Sequence, residues 1–144
     1  MPTKDLRAMG RHLVKEMNRG KSAALAAVEE LYASDVVFHG ADGKDIHGLK
    51  DYNQHNAEFY DAAPDTHFTI DDVVVEGNKG VWRLTLTFTF TGKLGDIQPT
   101  NKRVKIPMVI IDRISKGKLV EEWEFYDRMS MYQQAGLIPT PGKK

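Results

Sequence analysis

The chain has 144 residues, of which 41% are hydrophobic and 28% charged, so we expect one globular domain over residues 1–144. Twenty basic and twenty acidic residues give zero formal net charge, which argues against electrostatically driven binding of nucleic acid or of an anionic membrane. The absence of cysteine excludes disulfides and thiol catalysis, and the lack of a signal-like or membrane-spanning apolar run favours a cytoplasmic location.

The first predicted element is a helix over residues 4–19. Its apolar stripe recurs at helical spacing and consists of Leu6, Met9, Leu13 and Met17. Thr3 is the predicted N-cap of this helix and Gly20 is its predicted end.

Two further helices and one short strand are predicted next. Ser22 is the predicted N-cap of a helix over 23–33. A strand over 36–39 follows, and a polar glycine-containing turn closes it. A third helix is predicted over 49–62 and ends before Pro64, because the residue before a proline disfavours helical geometry.

The second half of the chain is predicted to consist of strands, over 68–75, 81–91, 104–114 and 119–127, the last after a hairpin turn at 116–118. The strand over 104–114 is apolar on both faces, which predicts a central strand covered by helices on one side and by a second subunit on the other. Pro107 cannot donate to a ladder, so we expect a bulge or a locally free edge there. Helices followed by consecutive antiparallel strands are typical of the α+β class.

The strand over 119–127 carries two carboxyl groups on one face. Its alternation separates one row, Val120, Glu122, Glu124 and Tyr126, from a second row, Leu119, Glu121, Trp123, Phe125 and Asp127. Glu122 and Glu124 lie about 6.5–7 Å apart along a strand. Such closeness raises one pKa, and a carboxylate so tuned is a general base near neutral pH. The alternative is that Trp123 and Phe125 form the core row, which leaves the glutamates in solvent.

The third predicted helix presents a mixed aromatic and polar face, made by Tyr52, His55, Asn56 and Phe59. Such a face suits a site that grips a ring and hydrogen-bonds its oxygens, and His55 would then be a second acid/base group. The alternative is a partly exposed amphipathic helix with a surface histidine. Trp82 is predicted to form core or pocket wall, and Tyr126 either donates to an enolate oxygen or lies at a cavity rim.

The histidines have no spacing typical of a metal site. His39, His47, His55 and His67 match no compact ligand pattern, and His39 and His47 flank a polar turn where exposure is expected. There is no glycine-rich phosphate loop and no nucleophile elbow. We therefore expect no specific metal site.

The order of elements, and above all the segment GKLVEEWEFYDRMSMYQQAGLIP at 117–139, resemble the SnoaL-like polyketide cyclases, also called ester cyclases. These belong to the nuclear-transport-factor-2-like superfamily, with ketosteroid isomerase and limonene epoxide hydrolase. The resemblance implies a cone-shaped, curved antiparallel sheet packed by three N-terminal helices, a cystatin-like α+β barrel with a ligand cavity. It also implies a homodimer formed through the other face of the sheet.

The resemblance further implies a reaction. In the cyclases, an acid on the last strand is the general acid/base of an intramolecular aldol ring closure that needs no cofactor. Matched from the glycine turn, the family's catalytic aspartate falls on Glu124, and a frequent histidine falls on Glu122. A further assisting histidine falls on Ile110, so this chain departs from the family pattern by a longer acid and by an aliphatic residue.

We therefore predict binding of a small, mostly apolar carbonyl compound and cofactor-free acid/base chemistry, either aldol-type cyclisation or isomerisation, with Glu124 as base. The predicted catalytic residues are Glu124, Glu122 and His55. The predicted substrate-binding residues are Tyr52, Asn56, Phe59, Trp82 and Tyr126. Two alternatives stay open: a non-catalytic ligand-binding or accessory domain, and an epoxide hydrolase-like enzyme, for which only the glutamates and Arg83 offer a comparable set of groups.

Overall fold

The structure, a computed structural model, describes residues 5–139. In chain order the elements are α1 (Leu6–Met17), α2 (Lys21–Leu31), β1 (Tyr32–His39), β2 (Asp45–His47), α3 (Leu49–Ala62), β3 (His67–Glu76), β4 (Lys79–Thr89), β5 (Arg103–Ser115), β6 (Lys118–Tyr126) and α4 (Arg128–Gln134). Within these residues, no helix has both the length and the apolar character needed to cross a membrane.

The strands form one open sheet in the order β2-β1-β6-β5-β4-β3. The predicted α+β class is confirmed, but the sheet is mixed, because β1 pairs with β6 in parallel while the other pairs are antiparallel. The expectation of a wholly antiparallel sheet is therefore wrong at this one pair. Parallel neighbours need a long crossover connection, and here it comprises every element between β1 and β6.

The helix ends differ from the prediction for local reasons. Asp5 caps α1, since its carboxylate accepts the backbone N–H of Arg7 at 3.0 Å, whereas Thr3 lies outside the described residues. The prediction that Ser22 caps α2 is wrong: Gly20 is the N-cap, with φ of 120°. A glycine adopts this conformation without strain, so the chain turns at Gly20 and α2 begins at Lys21, before Ser22.

The third helix, α3, has the predicted bounds, but two short elements were not predicted. Strand β2 has only three residues and helix α4 only seven, which is too short for a clear hydrophobic period. Helix α3 also stands between β2 and β3, so only α1 and α2 precede the sheet.

Pro107 lies where β5 has a free edge. The register of β4 against β5 runs through the Thr85–Pro107 pair without a shift, and the pairs of β5 with β6 stop at Met108. The free-edge prediction is therefore correct, and there is no bulge. The next N–H along this edge, at Lys105, donates to Gln134 Oε1 at 2.8 Å, so α4 closes the gap.

The inner face of the sheet, which we define as the face toward α1, packs closely on the helices. Gly10 of α1 makes this possible, because a Cβ atom there would lie 2.0 Å from Cζ2 of Trp82. Two core clusters fill this face, one around Tyr32 and Phe38 and the other around Leu84 and Phe88.

The outer face of the sheet is partly apolar. Val81, Ile111 and Trp123 are paired in register across β4, β5 and β6, and Phe125 follows on the same face with 54% of its surface exposed. The alternative in which Trp123 and Phe125 form the core row is therefore wrong. His39 stacks on Trp123 with ring centroids 5.3 Å apart.

His39 is not a simple exposed turn residue, contrary to expectation. Its Nδ1 lies 2.8 Å from Asp45 Oδ1 and its Nε2 lies 2.7 Å from Glu121 Oε2. Glu121 also accepts from Arg113 at 3.0 Å. The turn prediction missed this cluster because Glu121 reaches His39 only through the parallel pairing of β1 with β6.

Candidate functional site

A cavity of about 530 Å³ lies between the helices and the inner face of the sheet. Its lining includes carboxyl and hydroxyl groups, from Tyr32, Asp112, Glu122, Glu124 and Tyr126. It also includes apolar side chains from β4 and from the helices, among them Phe59, Leu84, Leu86, Phe88, Phe90 and Met131. The cavity thus combines a large apolar wall with a few convergent polar groups, as small-molecule sites do.

Strand pairing places three carboxyl groups together. Asp112 of β5 is paired with Glu122 of β6, and Glu124 follows two residues later on the same face, opposite Ile110. Sequence reasoning did not identify Asp112. Alternation along β5 could have identified Asp112, because it lies two residues after Ile110 and so on the same inner row. This signal was weak because β5 is apolar on both faces, so its inner row was not distinct.

Glu122 is held by two tyrosine hydroxyls. Only 5% of its surface is exposed. Tyr32 donates to Glu122 Oε1 at 2.5 Å, and Tyr52 donates to Oε2 at 2.8 Å. Burial raises the pKa of Glu122, while the two hydroxyls oppose that shift because they stabilise the carboxylate. The pKa of each tyrosine is raised well above its usual value by burial and by Glu122, so both phenols stay protonated donors.

Glu124 lines the cavity with a carboxyl group that titrates near neutrality. Burial and then the charge of Glu122 raise its pKa to about 7, with Asp42 adding to the shift and the backbone N–H of Ala41 opposing it. Burial, and secondarily Glu124, raise the pKa of Tyr126, so that its hydroxyl remains a donor. A carboxyl group with such a pKa can both accept and return a proton near pH 7.

Asp112 is a second acid of this kind. It is 4% exposed, and burial followed by the charge of Glu122 raises its pKa to about 7. The indole of Trp82 lies nearby and opposes this shift. Among residues 5–139, however, neither Asp112 Oδ1 nor Trp82 Nε1 has a partner at hydrogen-bonding geometry.

The mixed face of α3 turns toward the cavity, while His55 on that face also keeps the surface exposure that the alternative expected. Tyr52, His55, Asn56 and Phe59 all line the cavity. Tyr52 is buried, whereas His55 keeps substantial solvent exposure, which indicates a position near the opening. Partial burial lowers the pKa of His55, which favours the neutral imidazole near pH 7. Phe59 contacts Phe88 edge-on at a centroid distance of 5.3 Å.

Other residues of the wall were predicted in part. Trp82 and Tyr126 line the cavity as expected. Arg128, the first residue of α4, also lines it and was not predicted. Its guanidinium donates to the Tyr132 hydroxyl at 3.0 Å. Its position follows from Asp127, which caps α4 by accepting the N–H of Ser130 at 3.0 Å and so turns the chain toward the cavity directly after β6.

In the part of the chain that the structure describes, no three histidine, aspartate or glutamate side chains are grouped as metal ligands are. Arg83, which the epoxide hydrolase alternative invoked, lies exposed on β4 and is paired with Val109 on the outer face. It is therefore separated from Glu124 by the sheet.

Comparison with known proteins decides the family. The family model described as SnoaL-like polyketide cyclase matches residues 11–135. The chain belongs to this family. Among curated proteins, none matches it.

Several solved structures have the same fold. AclR, a candidate hydroxylase from Streptomyces galilaeus, has a TM-score of 0.81 and 23% identity, with coverage of 95% of this chain and 84% of AclR. A candidate SnoaL-like polyketide cyclase from Jannaschia sp. CCS1 has a TM-score of 0.80 and 16% identity, with coverage of 96% and 99%. IdmH, a candidate polyketide cyclase from Streptomyces antibioticus, has a TM-score of 0.77 and 22% identity, with coverage of 92% and 99%. At these identities the likeness shows the fold.

Proposed function

We propose that this SnoaL-like protein binds a small, mostly apolar carbonyl compound in its cavity and uses Glu124 as a general base. The observation that carries the proposal is the Glu124 carboxyl group itself, which lines the cavity and has a pKa raised to about 7. At that pKa a useful fraction is ionised at neutral pH, and the base is still strong enough to remove an acidic proton.

The chemistry is a proton transfer from carbon. Glu124 accepts a proton from a carbon next to a carbonyl group, and the electron pair of the C–H bond becomes an enolate delocalised onto oxygen. In an aldol-type cyclisation the enolate carbon attacks a second carbonyl of the same molecule, and Glu124 returns the proton to the new alkoxide. In an isomerisation it returns the proton to another carbon. Both reactions begin with the same step.

Two neighbouring groups support this assignment. The Tyr126 hydroxyl lies in the same inner row as Glu124, stays protonated because burial raises its pKa, and is a donor for an enolate oxygen. His55 from α3 is the second acid/base candidate, since its neutral imidazole can exchange a proton near pH 7. Ile110 lies opposite Glu124, so this neighbour of the proposed base is aliphatic and cannot exchange a proton.

Two alternative functions, a non-catalytic binding protein and an epoxide hydrolase, differ from this proposal in what they require of the cavity. A non-catalytic ligand-binding or accessory protein would use the same cavity without turnover, and a structural neighbour from Catenulispora acidiphila with a ketosteroid isomerase-like fold contains bound trimethylamine. The epoxide hydrolase alternative is disfavoured, because Arg83 lies on the opposite face of the sheet from the glutamates.

We also propose that the protein forms a homodimer through the outer face. The row Val81, Ile111 and Trp123, extended by Phe125, provides an apolar surface on the side of the sheet away from the helices. Phe125 is 54% exposed in the single chain, and covering it would remove apolar surface from water.

The test is proton exchange on a simple ketone. We expect the protein to accelerate, above the buffer rate, the exchange of the C1 protons of 2-tetralone for deuterium, followed by NMR. Glu124→Gln should reduce this acceleration by at least ~100-fold while leaving the melting temperature within a few degrees. Glu121→Gln, on the same strand but on the outer face, is the matched control and should retain the activity.

Full activity in Glu124→Gln would remove Glu124 from the role of base. Saturable binding of 2-tetralone without exchange at any pH would instead favour the non-catalytic binding protein.

A further inference from the structure

The three inner-face carboxyl groups differ in how they are hydrogen-bonded. Each oxygen of Glu122 accepts one tyrosine hydroxyl, from Tyr32 and from Tyr52. Asp112 Oδ1 has no partner among the described residues, and the backbone N–H of Ala41 is the donor that lowers the pKa of Glu124 against the larger effect of burial. A buried negative charge is stabilised by donors, so these three positions are not equivalent sites for it.

We propose that Glu122 is the fixed anion of the cavity, held by Tyr32 and Tyr52, and that it acts on a substrate only through its neighbours Glu124 and Asp112. Glu122 is then a positioning residue rather than the catalytic residue that the strand pattern predicts. This inference rests on the proposed function only where it names Glu124 as the reacting group.

The hydrogen bonds to Glu122 favour its ionised form. Two hydroxyl donors, one on each oxygen, match a carboxylate, which accepts on both oxygens, whereas a neutral carboxyl group has its own O–H to donate. Bonds from a hydroxyl to an ionised carboxylate are short and roughly twice as strong as neutral ones, and the two distances are 2.5 Å and 2.8 Å. Burial raises the pKa of Glu122, and these two donors oppose that shift. Of the three carboxyl groups, Glu122 is therefore the one at which hydrogen-bond donors best stabilise a negative charge.

The three carboxyl groups are buried to different degrees and lie close enough for their charges to interact. Asp112 faces Glu122 across paired strands, where Cβ atoms are about 4.5–5.5 Å apart, and Glu124 lies two residues along the same strand. Three carboxylates so close together in a buried site cannot all be ionised at neutral pH, because each added charge repels the others. The anion on Glu122 thus favours protonated Asp112 and raises the pH at which Glu124 ionises, in agreement with the directions of both pKa shifts.

Other charged and titratable groups face this cluster from each neighbouring element. Those that line the same cavity are Asp42, Lys44 and Asp45 in the turn after β1 and at the start of β2, His55 and Glu58 on α3, Tyr126 on β6, and Arg128 and Tyr132 on α4. Among the described residues, no lysine, arginine or histidine forms an ion pair with Glu122. Among the same residues, the side-chain hydrogen bonds of Glu122 come from the two tyrosines. Removing one of these hydroxyls therefore tests how much they stabilise the Glu122 carboxylate.

Both oxygens of Glu122 are occupied and the side chain is almost fully buried, so a ligand in the cavity meets Glu124 first. Tyr52 also has its hydroxyl committed to Glu122, so it contributes to the cavity wall by its ring. The tyrosine pair and Glu122 therefore form one supporting unit beneath the reacting carboxyl group.

The test follows the side-chain carboxyl carbon of Glu124 by NMR while the pH is varied, with the signal assigned by its loss in Glu124→Gln. We expect Glu122→Gln to lower the pKa of Glu124 by about 1 unit or more, which is a tenfold or greater weakening of proton binding. Glu121→Gln removes a charge from the adjacent residue on the outer face and should leave the Glu124 titration unchanged.

Tyr52→Phe provides a second, independent measurement that keeps the Glu122 carboxyl group. Loss of one donor should raise the pKa of Glu122 and lower that of Glu124, because the negative charge moves between them. If Glu122→Gln fails to fold, this variant decides the question. A Glu124 titration that is unchanged in Tyr52→Phe, or in folded Glu122→Gln, would overturn the proposal.

The pH profile of 2-tetralone exchange tests the role of Glu122 separately from the role of Glu124 as base. Glu122→Gln should move the midpoint of the pH profile of 2-tetralone exchange to lower pH while Glu124→Gln abolishes exchange at every pH. Lack of exchange in the wild type, together with the expected shift of the Glu124 titration, would refute the catalytic proposal and leave the role of Glu122 intact. A profile midpoint that does not move would contradict the positioning role.

Discussion

Neighbouring residues on one strand acquire opposite chemistry through the face on which they lie. Glu121 and Glu122 are adjacent, but alternation sends them to different sides of the sheet. On the outer face, His39 and then Arg113 hold the pKa of Glu121 below its usual range, and burial only partly opposes them. On the inner face, burial raises the pKa of Glu122. The side-chain type is the same, and the environment decides whether the acid is an ion-pair partner on the surface or a member of the buried carboxyl cluster.

At the residue scale, the raised pKa of Asp112 makes the free energy of unfolding depend on pH. Its pKa in the folded protein is about 7, above the ordinary value of 3.8, so the folded state holds a proton that the unfolded state releases. Its contribution to stability is present at low pH and is lost as the pH rises toward 7. Between about pH 5 and about pH 8, we expect Asp112 to reduce the free energy of unfolding by on the order of 2–3 kcal/mol.

Asp112→Asn should remove this part of the pH dependence, because asparagine does not titrate. The measurement is urea unfolding at several pH values for the wild type, for Asp112→Asn and for Asp96→Asn, which changes an exposed loop residue as a control. Equal pH slopes in the wild type and in Asp112→Asn would contradict the buried, protonated Asp112.

At the scale of elements, α1 is hydrogen-bonded to the sheet through Asn18 at its C-terminal end, in addition to its packing. The amide of Asn18 donates to the Phe68 carbonyl at 2.8 Å and accepts the Phe68 N–H at 2.8 Å, as a backbone segment would. Phe68 lies in β3, an edge strand of the sheet. This pair of bonds fixes α1 over the inner face, where Gly10 packs against Trp82 and the helix lines the cavity.

We expect Asn18→Ala to lower the free energy of unfolding by about 1–3 kcal/mol, since both backbone groups of Phe68 lose a partly buried partner. Lys15→Ala, on the exposed side of the same helix, should change it by less than about 0.5 kcal/mol. Urea unfolding measures both. A loss in Asn18→Ala no larger than that in Lys15→Ala would show that packing alone holds the helix.

At the scale of the whole molecule, the sheet separates two surfaces with different roles. Its inner face forms the wall of the cavity, and its outer face presents the apolar row that we assign to a homodimer. The charged cluster of His39, Asp45, Glu121 and Arg113 borders this row and adds polar contacts at its edge. Such a surface, apolar in the middle with charges at the rim, is typical of a protein interface.

We expect the wild type to sediment as a dimer and Phe125→Asp to sediment as a monomer, because a buried unpaired charge at the interface is costly. Met129→Asp is the matched control: Met129 is 60% exposed, but it lies on α4 rather than on the sheet, and its replacement should leave the dimer intact. Sedimentation velocity distinguishes the species. A wild type that stays monomeric at high concentration would contradict the interface.

The sequence by itself determined the features that depend on local periodicity. Alternation along β6 correctly separated Glu122 and Glu124 from Trp123 and Phe125, and helical spacing placed the inward face of α3. The order of elements was enough for the α+β class and, with the closing segment, for the family. These features are readable because side-chain direction along a single helix or strand follows from backbone geometry alone.

Only the tertiary structure decided which groups meet. Tyr32 reaches Glu122 across 90 residues, Asp112 becomes its neighbour through the register of two strands, and β1 turns out to run parallel to β6. None of these contacts leaves a local periodic signal. The same is true of the raised pKa values of Asp112 and Glu124, because burial and nearby charge depend on how distant segments pack together.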